Sequence, residues 1–237
     1  MRMLMQFQKG DIVRHLGLLD LQRTMQRALR RSGLPIAYSK GFNPHMVMSF
    51  ASALSSGIPG DAELLDVLLS SDDVTEEACL AAMNRVLPPA LKASRIRLVD
   101  DRFPKVTAAM QQAQYTITLR GEGTVRIVHA IDAFLGEQEI MALRKTKKAE
   151  TMVNIRPMIH LLEAKYDVQT DCATLTARVS FVEAATLKPD LLMHTLASYA
   201  DTELPKCDIR RTHLLGLVNG QAVPLIDMEY DEQRAGH

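Results

Sequence analysis

The chain has 237 residues, 47% of them hydrophobic and 24% charged, which suits one large folded domain or two small ones and excludes a disordered segment. Lys and Arg number 28, as do Asp and Glu, so the formal net charge is zero and the surface as a whole is not built to coat nucleic acid. No run approaches the roughly 20 apolar residues of a membrane helix, and the N-terminal "MRMLMQFQKGD" breaks into charge too early for a signal peptide. Cys79, Cys172 and Cys207 make neither a CxxC pair nor a disulfide framework. A cytoplasmic protein without a membrane partner is expected.

In chain order, "RMLMQFQK" alternates apolar and polar residues and reads as a half-buried strand. A helix is expected from about Leu18 to Arg31, stopped by Gly33 and Pro35. "IAYS" and "MVMSFAS" read as short extended segments, and "ELLDVLLS" as a strand buried on both faces. "SSDDVTEEACLAAMNRVL" opens with capping residues and an acidic first turn, both favourable at a helix start. "LKASRIRLVD" closes a β-α-β-β-α-β order.

The second half is expected to repeat that order with different sequence. "AQYTITLRG" is a strand, "TVRIVHAIDAFLG" a helix stopped by Gly136, and "IMALRKT" a strand. Beyond a basic connector, "MIHLLEAKYD" and "CATLTARVSF" form a hairpin, "KPDLLMHTLASYA" a helix with Pro189 at its start, and "CDIRRTHLLGLV" the last strand. Asn219-Gly220 signals a type I′ turn. The expected architecture is therefore α+β: two tandem ferredoxin-like (βαββαβ) halves with antiparallel sheets, residues 1–105 and 112–237.

The neutral total conceals segregation. Residues 1–60 carry eight Lys or Arg against Asp11 and Asp20, a net +6, whereas residues 61–101 hold nine acids against Arg85, Lys92, Arg95 and Arg97. On a helical projection Arg23, Arg27 and Arg30 fall within roughly 60° of one another, opposite Leu18, Leu21, Met25, Ala28 and Leu29. Like charges so spaced cost a few tenths of a kcal/mol per pair, so the acidic segment or an external anion is expected to compensate. Arginine favours paired hydrogen bonds to carboxylate or phosphate.

The loop "AYSKGFNPH" follows. Gly41 permits positive φ and Pro44 fixes a turn, while Tyr38, Lys40, Phe42, Asn43 and His45 gather stacking and hydrogen-bonding groups in a few residues. Rings beside guanidinium and amide groups suit unstacked bases and phosphates; buried rings and a structural histidine are the alternative.

The run "GLLDLQRTMQRALRRSGLPIAYSKGFNPHMVMSFASALSSG" resembles the signature of the radical SAM-linked protein family, over about Lys9 to Asp66. That domain occurs as a C-terminal extension of radical SAM enzymes or as a separate protein encoded beside one. The resemblance implies a partner radical SAM enzyme, with nucleic-acid modification a suggested setting, and carries over no established activity for the domain itself. Members often read Gly-His-Leu-Asp at the helix start, where this chain has Gly17-Leu18-Leu19-Asp20 and a histidine at His15.

The chain is not itself a radical SAM catalyst, since it offers no three closely spaced thiolates. It has no zinc spacing, phosphate-cradling glycine motif or nucleophile elbow, and neither cofactor nor metal is expected. The leading expectation is an accessory module that recognises RNA, such as transfer or ribosomal RNA, for a partner radical SAM enzyme. Arg23, Arg27, Arg30, Arg31 and Lys40 would hold phosphates, and Tyr38, Phe42, Asn43 and His45 a base or the partner. "RKTKKAETMVNIR", with Arg144, Lys145, Lys147, Lys148 and Arg156, offers a second basic track or a merely solvated hinge. The alternatives are a scaffold docking to a radical SAM enzyme without RNA, a small-molecule binder, and a metal-independent ribonuclease using His15 with Asp20 or His45 with Lys40. Asp20 is expected to cap the helix or to face its arginines.

Overall fold

The computed structural model describes residues 1–145, 150–182 and 185–229 of the chain. The fold is mixed α+β, with five α-helices among the described residues and strand pairing dominated by antiparallel ladders. The elements in chain order are β1 (Arg2–Lys9), α1 (Leu18–Ser32), β2 (Met48–Phe50), β3 (Gly60–Leu68), α2 (Glu76–Val86), β4 (Ala93–Val99) and α3 (Val106–Ala109). Then follow β5 (Gln112–Arg120), α4 (Thr124–Gly136), β6 (Met141–Lys145), β7 (Glu150–Asn154), β8 (Ile159–Asp167), β9 (Cys172–Ser180), α5 (Pro189–Tyr199), β10 (Lys206–Val218) and β11 (Gln221–Pro224). The chain divides into two compact units, Met1–Met110 with His213–His237, and Gln111–Thr212. The second segment, expected to run to the C-terminus, thus stops inside β10, and the rest of that strand belongs to the first unit.

In the first unit β1 pairs antiparallel with both β3 and β4, and β2 pairs antiparallel with β3, giving the order β4–β1–β3–β2. Alternation along β1 sends Met3, Met5 and Phe7 into a core shared with Leu65 and Val67 of β3. Helix α1 adds Leu21, Met25, Ala28 and Leu29, a 3.6-residue stripe, and α2 adds Cys79 and Met83. Gly33, at φ 77°, ends α1 in the left-handed conformation that a side chain resists. Thr75 starts α2 by accepting a hydrogen bond from the Ala78 N–H at 3.2 Å on its Oγ1.

In the second unit β5 and β8 both pair antiparallel with β9, and β10 neighbours β5, giving β10–β5–β9–β8. This is the same permutation as β4–β1–β3–β2, with α4 and α5 in the places of α1 and α2. The matching second strand is therefore β8, not the "IMALRKT" segment. That segment forms β6, which pairs only with β7 in a separate two-stranded sheet inserted between α4 and β8. Strand β7 lies within the expected connector, whose polar composition hid it. Ile117, Leu119, Leu175, Ala177 and Val179 form the core with Ile127, Ile131 and Phe134 of α4 and Leu192 and Leu196 of α5. Asn219 (φ 54°) and Gly220 (φ 79°) make the expected turn between β10 and β11.

Candidate functional site

Helix α1 presents Arg23, Arg27 and Arg30 on its exposed side. Arg23 donates from Nη1 to Asp20 Oδ1 at 3.3 Å, an exposed pair of small energetic consequence. Gly17 is the N-cap, so Asp20 sits in the first turn facing an arginine and does not cap the helix. Arg27 and Arg30 have no hydrogen-bond or ion-pair partner among the described residues. Of the acids in residues 61–101, Asp66 is bonded to the buried Arg2, Asp72 and Asp101 to the N-terminal ammonium, and Glu76 to the Leu98 N–H. Internal neutralisation of the stripe therefore stops at Arg23. Arg31 departs from its neighbours, donating from Nη2 to Val86 O at 2.9 Å, where it satisfies a carbonyl at the end of α2. Leu18, expected on the buried side, is exposed, because the apolar contact of α1 begins only at Leu21.

The following loop is closed at its base and open at its tip. Tyr38 and Met46 form a bridge, and the Ser39 N–H donates to His45 O at 2.8 Å. The His45 N–H donates to Ser39 Oγ at 3.1 Å, and that hydroxyl lies 2.8 Å from His45 Nδ1. His45 thus braces the loop and is not bonded to Lys40. Between these residues Gly41 takes φ 126°, where a Cβ would be strained, and Lys40 to Pro44 are all exposed. Phe42 is bare, at 105% relative exposure, and Tyr38 is half exposed. No hydrogen bond or ion pair joins the loop to the arginine side of α1 among the described residues.

His15 and Asp20 are likewise not paired: His15 Nε2 accepts from Arg14 Nε at 3.2 Å. Cys207 is an inert thiol, its pKa pushed up to about 11 by burial first and by Asp190 and Asp208 next. No cluster of three or more His, Cys, Asp or Glu suited to a metal ion occurs among the described residues. No described helix is long and apolar enough to cross a membrane.

The connector of the second unit behaves differently from α1. Arg144 donates from Nη2 to Thr186 O at 2.8 Å, and Arg156 from Nε to Leu135 O at 2.9 Å, both half buried. Lys145 pairs with Glu150 at 3.1 Å directly across the β6–β7 ladder. Lys147 and Lys148 lie outside the described residues. What sequence reasoning missed is a groove between β6 and α5, two adjoining recesses of about 470 and 360 Å³ that share Leu143 and Leu191. Its signal was present in the alternate apolar residues Met141 and Leu143 of a strand too short to hide them.

A mixed α+β protein with an uncompensated arginine pair and an aromatic loop tip is what these two units define. The chain belongs to a family described as an uncharacterized protein conserved in bacteria (DUF2344), which it matches over residues 2–189. No curated protein matches it in sequence. In fold it is similar to a chain in the crystal structure of a Cbf5–Nop10–Gar1 complex, with a TM-score of 0.52 and 12% identity, over 90% of this chain and 48% of that one. The chain thus spans about half the length of that relative, and the likeness is one of fold alone.

Proposed function

We propose that the protein is an accessory recognition module whose first unit binds RNA and which works with a partner radical SAM enzyme. Arg27 and Arg30 hold phosphates, as do Arg23 and Lys40, and Phe42 stacks on an unpaired base. The observation that carries this reading is the pair Arg27 and Arg30, exposed, four and three residues from their like-charged neighbours and without a counter-charge. A helix that keeps such a pair accepts a small repulsion in isolation, which an anionic ligand removes. Phe42 adds a ring exposed at no entropic cost to the core, on a loop whose base is hydrogen-bonded shut. The radical SAM partner rests on the signature residues alone. We also read both units as ferredoxin-like, a reading supported by their shared strand permutation.

The test is a salt series of binding to total transfer RNA and to fragmented ribosomal RNA, followed by fluorescence anisotropy. Log affinity should fall with log salt by about 0.7 to 0.9 per phosphate held. Replacing Arg27 and Arg30 together by alanine should lower that slope by about 1.5, whereas Phe42→Ala should weaken binding by about 1–3 kcal/mol without changing the slope. A folded protein that binds neither RNA overturns the reading. Capture of a radical SAM enzyme free of RNA by the same protein makes the arginines a docking surface for carboxylates instead.

A further inference from the structure

The groove of the second unit has a backbone wall. The two recesses are touched by all five residues of β6, Met141 to Lys145, and by none of β7. Successive side chains of a strand point to opposite faces, so a groove that meets five in a row runs along the strand's edge, here the edge away from β7. The ladder says which amides lie there. The Ile155 N–H donates to Ile140 O at 2.8 Å, so residue 140 turns its backbone toward β7. By antiparallel alternation Ala142 and Arg144 do the same, while Met141, Leu143 and Lys145 turn their N–H and C=O groups to the outer edge. No strand pairs with that edge among the described residues.

The opposite wall is α5, from Lys188 and Leu191 to Tyr199, and the floor is apolar, with Phe134 and Ile140. The length of five strand residues, about 17 Å, suits an extended peptide of similar length. The groove is also electrically polarised. At one end stand Lys188 and Arg144, the latter tied to Thr186 O, against Asp190, with Lys145 already paired to Glu150; at the other stand Glu137, which accepts from the Tyr199 hydroxyl, and Glu139, with His194. Neither Lys188 nor Glu139 has an ion-pair partner among the described residues.

We propose that this groove docks an extended segment of a partner protein by adding a strand to the outer edge of β6. The segment carries alternate apolar residues that seat beside Leu143 and Leu191, an acidic residue at the Lys188 end and a basic residue at the Glu139 end. Main-chain hydrogen bonds to Met141, Leu143 and Lys145 supply affinity, and the recesses and end charges supply choice. This site is independent of the RNA reading of the first unit.

The probe is a random decapeptide library displayed on phage, selected on the full chain, with the winning peptides then synthesised and measured by anisotropy. Selection should return peptides with apolar residues at alternate positions and opposite charges at their ends. Leu143→Pro removes the outward N–H while leaving the bonds to β7, which use residues 142 and 144, and should weaken binding about tenfold. Lys188→Glu, at an exposed position where folding is not at stake, should weaken binding several-fold and be rescued by a peptide with an Arg in place of its acid. Absence of a selected consensus, or peptides that bind Leu143→Pro and Lys188→Glu unchanged, overturns the proposal. So does a dimer, seen by sedimentation, that Leu143→Pro dissolves and the peptides displace, since the edge then serves a second copy of the chain.

Discussion

The arginines of α1 and those of the β6–β7 region look alike in sequence, each a short basic run, and they do opposite things. Arg144 and Arg156 bend back onto Thr186 O and Leu135 O, the latter a carbonyl near the end of α4 that lacks a helical partner. Arg27 and Arg30 reach nothing among the described residues. The difference is geometric. Arg144 on β6 and Arg156 on the turn after β7 find a loop carbonyl and a helix-end carbonyl within their reach, whereas a guanidinium at mid-helix on the outer side finds only its own helix, whose carbonyls are bonded. Basic density along a chain therefore says little about a binding surface until each cation's carbonyl neighbours are known.

Arginines tied into the fold should matter to stability and those outside it should not. The largest effect is expected at Arg2, whose Nε donates to Asp66 Oδ1 at 3.0 Å with both residues buried. Arg2→Met strands a buried carboxylate and should cost about 3–5 kcal/mol in urea unfolding; a loss below 1 kcal/mol would show that Asp66 finds water. Arg156→Ala should cost about 1–2 kcal/mol by leaving Leu135 O unpaired, with Arg144→Ala similar or smaller. Arg27→Ala and Arg30→Ala should each stay within about 0.5 kcal/mol of the parent, and a larger loss in either would place that residue with Arg156.

The smallest effect concerns pH. His160 has its pKa lowered from 6.5 by burial first and by the nearby Arg178 next. The folded state thus binds its proton less readily than the unfolded chain does. The sign follows: this contribution is fully present above pH 6.5 and is lost as pH falls through 6.5 toward the lower folded value. The imidazole resonances should titrate below 6.5, and a midpoint at 6.5 would mean that the ring is fully hydrated and Arg178 is turned away.

Much of the fold is legible because local signals and packing agree. The apolar stripe of α1, Thr75 ahead of α2, Pro189 at the start of α5 and Asn219-Gly220 all fall where the sequence puts them. The misreadings come from long-range pairing. Nothing local in "IMALRKT" says that it leaves the main strand order, because a strand's partner is chosen by distant residues. Likewise nothing local in "HLLGLV" assigns its residues to the first unit, which requires Leu214 and Leu215 to be buried there. At the candidate site, the arginine stripe was legible from its 3.6-residue period, but the role of Arg31 depends on where α2 ends. The exposure of Phe42 likewise depends on the bonds between Ser39 and His45.

The division of β10 bears on how the chain is made. Because the first unit is completed by residues that follow the second, the ribosome must deliver all of Gln111–Thr212 before the N-terminal core meets its last strand. The second unit, contiguous in sequence, has every one of its strands available earlier. The order of completion along the chain is thus inverted: the later-encoded unit has its last strand before the earlier one, which waits for β10 to pair with the part of the β3 edge that β2 leaves uncovered. A released fragment ending at Thr212 should show protease resistance in the second unit and cleavage in the first.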